Sequence, residues 1–460
     1  MTQRKQPVGS LPVLDPHTAG IDVHSAVHWV AVPPGDAPPD PKHPSQLPPE
    51  VRSFGACTAD LEEIADWLKQ CGVTSVAMES TGVYWIPLFE LLERRGFTVL
   101  LVDPRRTRQV SGRPKSDRLD CQWIRRLHSC GLLAGSFRPA DDIVVLRGYL
   151  RQRQRLIEDA GRQVQHMQKA LEEMNVKLTE VVSDVVGKTG LSIVKAILKG
   201  ERDANKLAKL RDEKCKRSET EIARALVGSW REEHLFALKQ AVELYEVYHR
   251  LLDECDKSLE ACLKTFADKS GDEVLPAKRR TKGRAANDFR FEARTLLHRM
   301  SGADLTVIEG IEASTAMAIL GEIGPDMSKF PSAKHFASWL GLSPNHQGSA
   351  GKIKSRRVRR GANRAARAFR TAALGCHHAK HALGAFYRRI AMRCGGPKAV
   401  IATARKIAER VYRLLKDGRE YERRDAAAYE ESYRKKVLKG LTRRARELGY
   451  RLEVVESSSA

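Results

Sequence analysis

Residues 17–24, HTAGIDVH, decide how the first third of this 460-residue chain is read. One carboxylate, Asp22, sits among Gly20, Ile21 and Val23. The run reads as a strand, and a charge inside an apolar strand is costly unless it is paired or binds a metal. Working outward, a short turn at Ser25 leads into Val27 to Val32, a second strand, so the two form a hairpin. Pro33 to Pro49 is a Pro-rich loop and Val51 to Ala56 a third strand. Leu61 to Cys71 has helical spacing, Val73 to Met78 is a β-branched strand, and Tyr84 to Arg95 is helical. Phe97 to Val102 is a buried strand and Asp117 to Cys130 a helix. The order β-β-β-α-β-α-β-α predicts an α/β domain, a mixed sheet flanked by helices.

Three more acids stand in informative places. Glu79 ends the strand VTSVAME, and a carboxylate at the C-terminal end of a strand faces the usual ligand crevice of such sheets. Asp117 and Asp120, in KSDRLD, lie one helical turn apart and project from one face. Like charges there repel unless a cation sits between them. Four carboxylates from two strands and a helix can hold two Mg²⁺ ions, which suits phosphodiester chemistry. Taken singly, Asp117 and Asp120 also read as an N-terminal helix cap with Arg125 nearby.

Lys plus Arg is 80 against 57 Asp plus Glu, a net charge of +23. The excess is local. Met1 to Ser136 holds 15 basic and 15 acidic residues, whereas Met327 to Ala408 holds 18 Lys or Arg and no acid. A surface of that kind fits a polyanionic partner, nucleic acid. Hydrophobic residues make up 42% of the chain, which excludes wholesale disorder. No apolar run reaches the length of a membrane span, and the first residues carry no secretory h-region. Nine scattered cysteines without a CxxC pair fit a reduced, cytoplasmic setting.

The middle of the chain carries two heptad stretches. Ile157, Ala160, Val164, Met167, Leu171, Met174 and Leu178 recur at alternating steps of three and four, as do Leu238, Ala241, Tyr245, Tyr248, Leu252, Cys255, Leu259 and Cys262. They read as an oligomerising coiled coil or a helical hairpin, the plainer reading being two amphipathic helices in a bundle. The expected domains are 1–137, the α/β unit; 138–265, a helical coiled-coil region; 266–292, a linker; and 293–460, a basic all-α domain. Ile308 to Glu312 with the helix after it resembles a helix-hairpin-helix, whose glycine turn meets a phosphate; a purely structural hairpin fits as well. Gly187-Lys188-Thr189 hints at a phosphate loop, but Val182 stands where its first glycine belongs. Cys376, His377, His378, His381 and Cys394 match no usual zinc spacing.

GIDVH, MESTGVYW and LVDPRRTRQVSGRPKSDRLDCQWI resemble the DEDD transposases of bacterial insertion sequences, the IS one-ten family, which includes the pilin-gene invertases and the RNA-guided bridge recombinases. The segment from Leu305 to Lys352, LTVIEGIEASTAMAILGEIGPDMSKFPSAKHFASWLGLSPNHQGSAGK, carries the second half of the signature. The resemblance implies an RNase H-like (RuvC-like) N-terminal domain with Asp22, Glu79, Asp117 and Asp120 as the metal-binding tetrad. It implies that Ser349, in Gly348-Ser349-Ala350-Gly351-Lys352, attacks DNA and holds a 5′-phosphoserine intermediate. It implies Mg²⁺, donor and target DNA, a structured guide RNA and a dimeric or tetrameric working form in the bacterial cytoplasm, associated with the nucleoid. The chain departs from the family in four places: Gly348 replaces a first serine, Gly351 is one glycine of a usual two, Ser25 stands where lysine is common, and the 33–49 loop is long.

From the residues themselves, small neighbours let a backbone and a phosphate approach Ser349, while a serine hydroxyl needs a base or metal to become a nucleophile. Lys352, Lys354, Arg356, Arg357, Arg359, Arg360 and Arg364 follow as phosphate clamps. Two rival readings are a structure-selective nuclease that hydrolyses DNA with the tetrad alone, and a non-catalytic nucleic-acid-binding scaffold.

Overall fold

The computed structural model describes residues 12–35, 49–104, 116–271, 275–276, 285–345, 347–349, 352–355, 357–358, 363–418 and 425–453. The chain divides into two compact units, Met1–Arg138 and Pro139–Ala460. Among the described residues, no helix is long and apolar enough to cross a membrane.

The first unit follows the expected order: β1 (Thr18–Val23), β2 (Val27–Ala31), β3 (Val51–Gly55), α1 (Thr58–Gln70), β4 (Ser75–Glu79), α2 (Trp85–Arg94), β5 (Thr98–Val102) and α3 (Asp117–Ser129). The sheet runs β3-β2-β1-β4-β5. β1 and β2, and β2 and β3, pair antiparallel; β1 with β4 and β4 with β5 pair parallel. β1 is buried throughout, and its two faces do different work. Ala19, Ile21 and Val23 enter a core with Leu61, Ile64 and Leu68 of α1 and Leu88 and Leu92 of α2. Gly20 and Asp22 face α3. A Cβ on Gly20 would lie 2.2 Å from the Arg125 nitrogen and 2.4 Å from the Cys121 carbonyl oxygen. Only glycine lets the helix backbone come down onto the strand so closely.

The second unit begins with α4 (Asp141–Glu173), continues through the short helices α5 (Leu178–Val181), α6 (Lys188–Leu198), α7 (Ala204–Ala208) and α8 (Glu219–Ala225), and returns along α9 (Glu232–Lys264). Ion pairs Arg153–Asp256 near one end and His234–Glu173 near the other make α4 and α9 antiparallel. Met167, Leu171, Met174 and Leu178 share one core with Leu238, Ala241, Tyr245 and with Ile193, Ile197, Leu207 and Ile222 of the intervening helices. The seam that the heptads offered to another copy is thus covered by the chain's own return helix and short helices. A heptad specifies an apolar face, and a partner within the chain fills it first.

After the hairpin come α10 (Ala293–Ser301), α11 (Ala313–Ile323), α12 (Ala333–Trp339), β6 (Gln347–Ser349), β7 (Lys352–Ser355), α13 (Arg364–Gly375), α14 (Ala382–Cys394), α15 (Gly396–Asp417) and α16 (Ala426–Glu447). Phe336 of α12 is the centre of this region, ringed by Phe330, Trp339, Phe369 and Tyr412. The Tyr412 hydroxyl donates to the Phe330 carbonyl at 2.7 Å, so its polar tip is satisfied inside the core. In the stretch expected to be a linker, Arg153 donates to the Asn287 carbonyl and the Arg290 amide donates to Asp256, each at 2.9 Å. Those hydrogen bonds tie 287–290 to the long helices.

Candidate metal centre and serine hairpin

Strand period and helix docking build the first site. Asp22 lies near the end of β1 on the side that α3 covers, and His24 follows directly after the strand ends. At the start of α3 the cap is Ser116, whose side chain accepts the Leu119 amide at 3.3 Å. Asp117 and Asp120 are therefore not the cap; they stand in the first turn, where the helix dipole favours negative charge. Asp22 is buried, Asp120 and Glu79 half-buried and Asp117 exposed.

The His24 Nε2 lies 3.2 Å from Asp22 Oδ2 and 3.7 Å from Asp117 Oδ1. Ligand atoms of Asp22, His24 and Asp117 all fall within 4.8 Å of one another, the one such group among the described residues. Burial holds the Asp22 carboxyl above the usual carboxylate value; His24 pulls it back, and the charges of Glu79 and Asp117 push it further up. Glu79 of β4 and Asp117 of α3 thus both act on Asp22 of β1. Asp120 follows Asp117 by one turn of the same helix, and its Oδ1 is shielded from solvent. Hard carboxylate oxygens converging against mutual repulsion are a donor set that fits a divalent cation. Cys121 lies beside them, but burial pushes its thiol up to about 12, with Asp22 adding to the effect.

His24 was not among the acids singled out in the sequence. Its signal was the i, i+2 spacing from Asp22, but that becomes informative only once α3 brings Asp117 to the same face.

In the second unit, Ser349 ends β6 and its backbone pairs antiparallel with Lys352 at the start of β7. The pairing extends outward through a bridge between Pro344 and Val358. Lys354 and Arg357 are exposed on this arm, and Arg364, also exposed, opens α13. Arg356, Arg359 and Arg360 lie outside the described residues. The helix-hairpin-helix glycine, Gly310, has φ +85°, and a Cβ there would meet the Ala372 carbonyl oxygen at 2.4 Å. It serves packing against α13, the structural alternative. Lys188 of the false phosphate loop pairs with Asp212. His381 caps α14, its Nδ1 accepting the Gly384 amide at 3.2 Å, and Cys376 is buried.

A mixed sheet bearing a cluster of acids is followed in the chain by a basic helical region, and both family models that match the chain describe transposases. One, the IS110-type DEDD transposase, covers residues 19–176; the other, the transposase IS116/IS110/IS902 family, covers 302–388. Together they span a little over half of the chain, and the chain belongs to the IS110 family of transposases. The tetrad positions fall in the first match and Ser349 in the second. The "Insertion element IS110 uncharacterized 43.6 kDa protein" of Streptomyces coelicolor is 34% identical over 130 residues, 27% of this chain and 31% of that protein. The match thus spans about a third of that relative's length.

Proposed function

We propose that this chain is the recombinase of an insertion sequence, cutting and rejoining donor and target DNA under the direction of a structured guide RNA. The observation that carries the reading is the convergence of Asp22, Asp117 and His24 on one face of β1, with Glu79 close enough to act on Asp22. The sheet order β3-β2-β1-β4-β5, with β2 antiparallel, supports an RNase H-like first unit. Mg²⁺, one or two ions held by Asp22, Glu79, Asp117 and Asp120, would neutralise charge on the scissile phosphate.

The Ser349 Oγ is the proposed nucleophile. Its bond to phosphorus forms as the bond from phosphorus to the 3′ oxygen breaks, and the serine proton ends on that oxygen. The resulting 5′-phosphoserine keeps the phosphodiester energy, so attack by another 3′-hydroxyl reverses the step on a new strand. Lys352, Lys354, Arg356, Arg357, Arg359, Arg360 and Arg364 are the proposed phosphate contacts. Self-association, as dimer or tetramer, would use apolar residues that the chain leaves uncovered: Phe236, Leu244 and Val247 stay exposed on one side of α9.

The test is a covalent adduct. Wild-type protein incubated with Mg²⁺, guide RNA and end-labelled DNA should yield a protein–DNA species, and Ser349→Ala should yield none. Asp22→Asn should lose strand cleavage. Cleavage without an adduct in the wild type would favour a hydrolytic nuclease. If Ser349→Ala and Asp22→Ala proteins regain activity when mixed, the serine and the tetrad act together across protomers.

A further inference from the structure

We propose that His24 is itself a cation ligand, through Nε2, and that it biases the centre toward Mn²⁺ over Mg²⁺. The inference rests on the metal-centre reading above and adds a donor that the four acids do not supply. His24 follows directly after β1, and its Nε2 sits 3.2 Å from Asp22 Oδ2 and 3.7 Å from Asp117 Oδ1. One cation can therefore touch all three groups without any of them changing element. The His24 side chain is 44% exposed and that of Asp117 55%, against 9% for Asp22. The centre thus has a buried carboxylate at its base and an imidazole and a carboxylate at its open side, where an ion enters.

The chemistry of the donors sets the preference. Mg²⁺ prefers oxygen, keeps much of its water and demands near-ideal octahedral geometry. An imidazole nitrogen adds a donor that first-row transition ions accept more readily, and Mn²⁺ also takes carboxylate oxygen well. A mixed set of one nitrogen and several carboxylates therefore favours Mn²⁺ more than an all-carboxylate set does. The competing role for His24 is a counter-ion that shields the acids and leaves when a cation arrives. The two roles predict effects of opposite sign when the imidazole is removed.

The experiment is Mn²⁺ binding to the full chain, followed by electron paramagnetic resonance, in wild type, His24→Gln and Asp22→Asn, with Mg²⁺ as competitor. In the wild type, bound Mn²⁺ should show the electron spin-echo modulation of a directly bound nitrogen. The chain has 14 histidines, so it is disappearance of that signal in His24→Gln that assigns it. The Mn²⁺ Kd should rise at least about tenfold in His24→Gln, since even removing a residue that only orients a ligand has an effect of that size. The Mg²⁺ Kd should change much less. Unchanged or tighter Mn²⁺ binding in His24→Gln, or a nitrogen signal that persists there, would overturn the proposal. If Asp22→Asn abolishes Mn²⁺ binding in that case, the acidic centre stands and only His24 is misassigned. If Asp22→Asn binds Mn²⁺ as well as wild type, the acidic centre itself fails.

Discussion

Gly20 shows how one residue can set a site it does not belong to. It contributes no side chain, yet the 2.2 Å and 2.4 Å approaches of the α3 backbone are possible only without one. That approach fixes where the first turn of α3 lies relative to Asp22. Gly20→Val should overpack this interface and destabilise the protein by roughly 1–3 kcal/mol, read as a lowered urea midpoint. It should also weaken divalent-cation binding, because the acids of α3 would be displaced from Asp22. Full stability in Gly20→Val would mean that α3 docks by its apolar side chains alone.

At the scale of elements, two polar contacts between elements bear on stability. The first joins α3 to β4 through Ser75 Oγ and His128 Nε2, 2.8 Å apart. Burial holds the His128 imidazole below its ordinary 6.5, with Asp15 pulling the other way, and buried His28 shifts in the same direction. Because the folded-state value is depressed, protonation opposes folding. This contribution is complete above pH 6.5 and is lost as pH falls from there toward the folded value. His128→Gln should therefore give a shallower fall in stability below pH 6.5, measured from urea midpoints across that range; an unchanged slope would exclude His128 as a cause.

The second interaction joins α4 to α9. Arg153 and Asp256 are 8% and 2% exposed, their ion pair supplemented by the Arg290 amide and by Phe289, whose ring lies 4.1 Å from the Arg153 guanidinium. Asp256→Ala leaves that guanidinium buried without its partner and should cost about 3–5 kcal/mol. The double replacement Arg153→Met, Asp256→Leu should cost far less, as denaturation of the two variants side by side would show. Equal destabilisation would mean that the helices need the charges for more than mutual neutralisation.

For the whole molecule, charge separation is the ruling feature. The first unit's residues to Ser136 are neutral in sum, and the basic excess lies in the second. Replacing Lys354, Arg357 and Arg364 by Ala should weaken nucleic-acid binding and flatten its dependence on salt. The log–log slope should fall by about 0.9 for each duplex-DNA phosphate that is no longer neutralised. A slope equal to wild type would locate the binding surface elsewhere. Self-association should respond to Leu244→Asp and Val247→Asp in α9, with a smaller mass in light scattering. Leu171→Asp, at a seam covered within the chain, should instead unfold the helical hairpin. A variant that kept its fold and fell only in mass would return the heptad seam to an intermolecular role.

Local periodicity determined a good deal by itself. Alternation around Asp22 and Glu79, helical spacing in α1 to α3 and the 3-4 recurrence of the long helices are written into neighbouring residues, because strands repeat every two residues and helices every 3.6. The element order of the first unit, the acidic candidates and the basic C-terminal stretch were legible on that ground. What covers each face was not. The heptad faces were visible, but whether another copy or the return helix fills them depends on a turn closed through four short helices. Gly310 was visible as a turn, but its use against α13 depends on a distant helix. The same holds for His24: its spacing from Asp22 is local, while its approach to Asp117 exists only because Gly20 admits α3 to the strand. Contacts between residues far apart in the chain come from the packing of whole elements, and tertiary structure alone decides them.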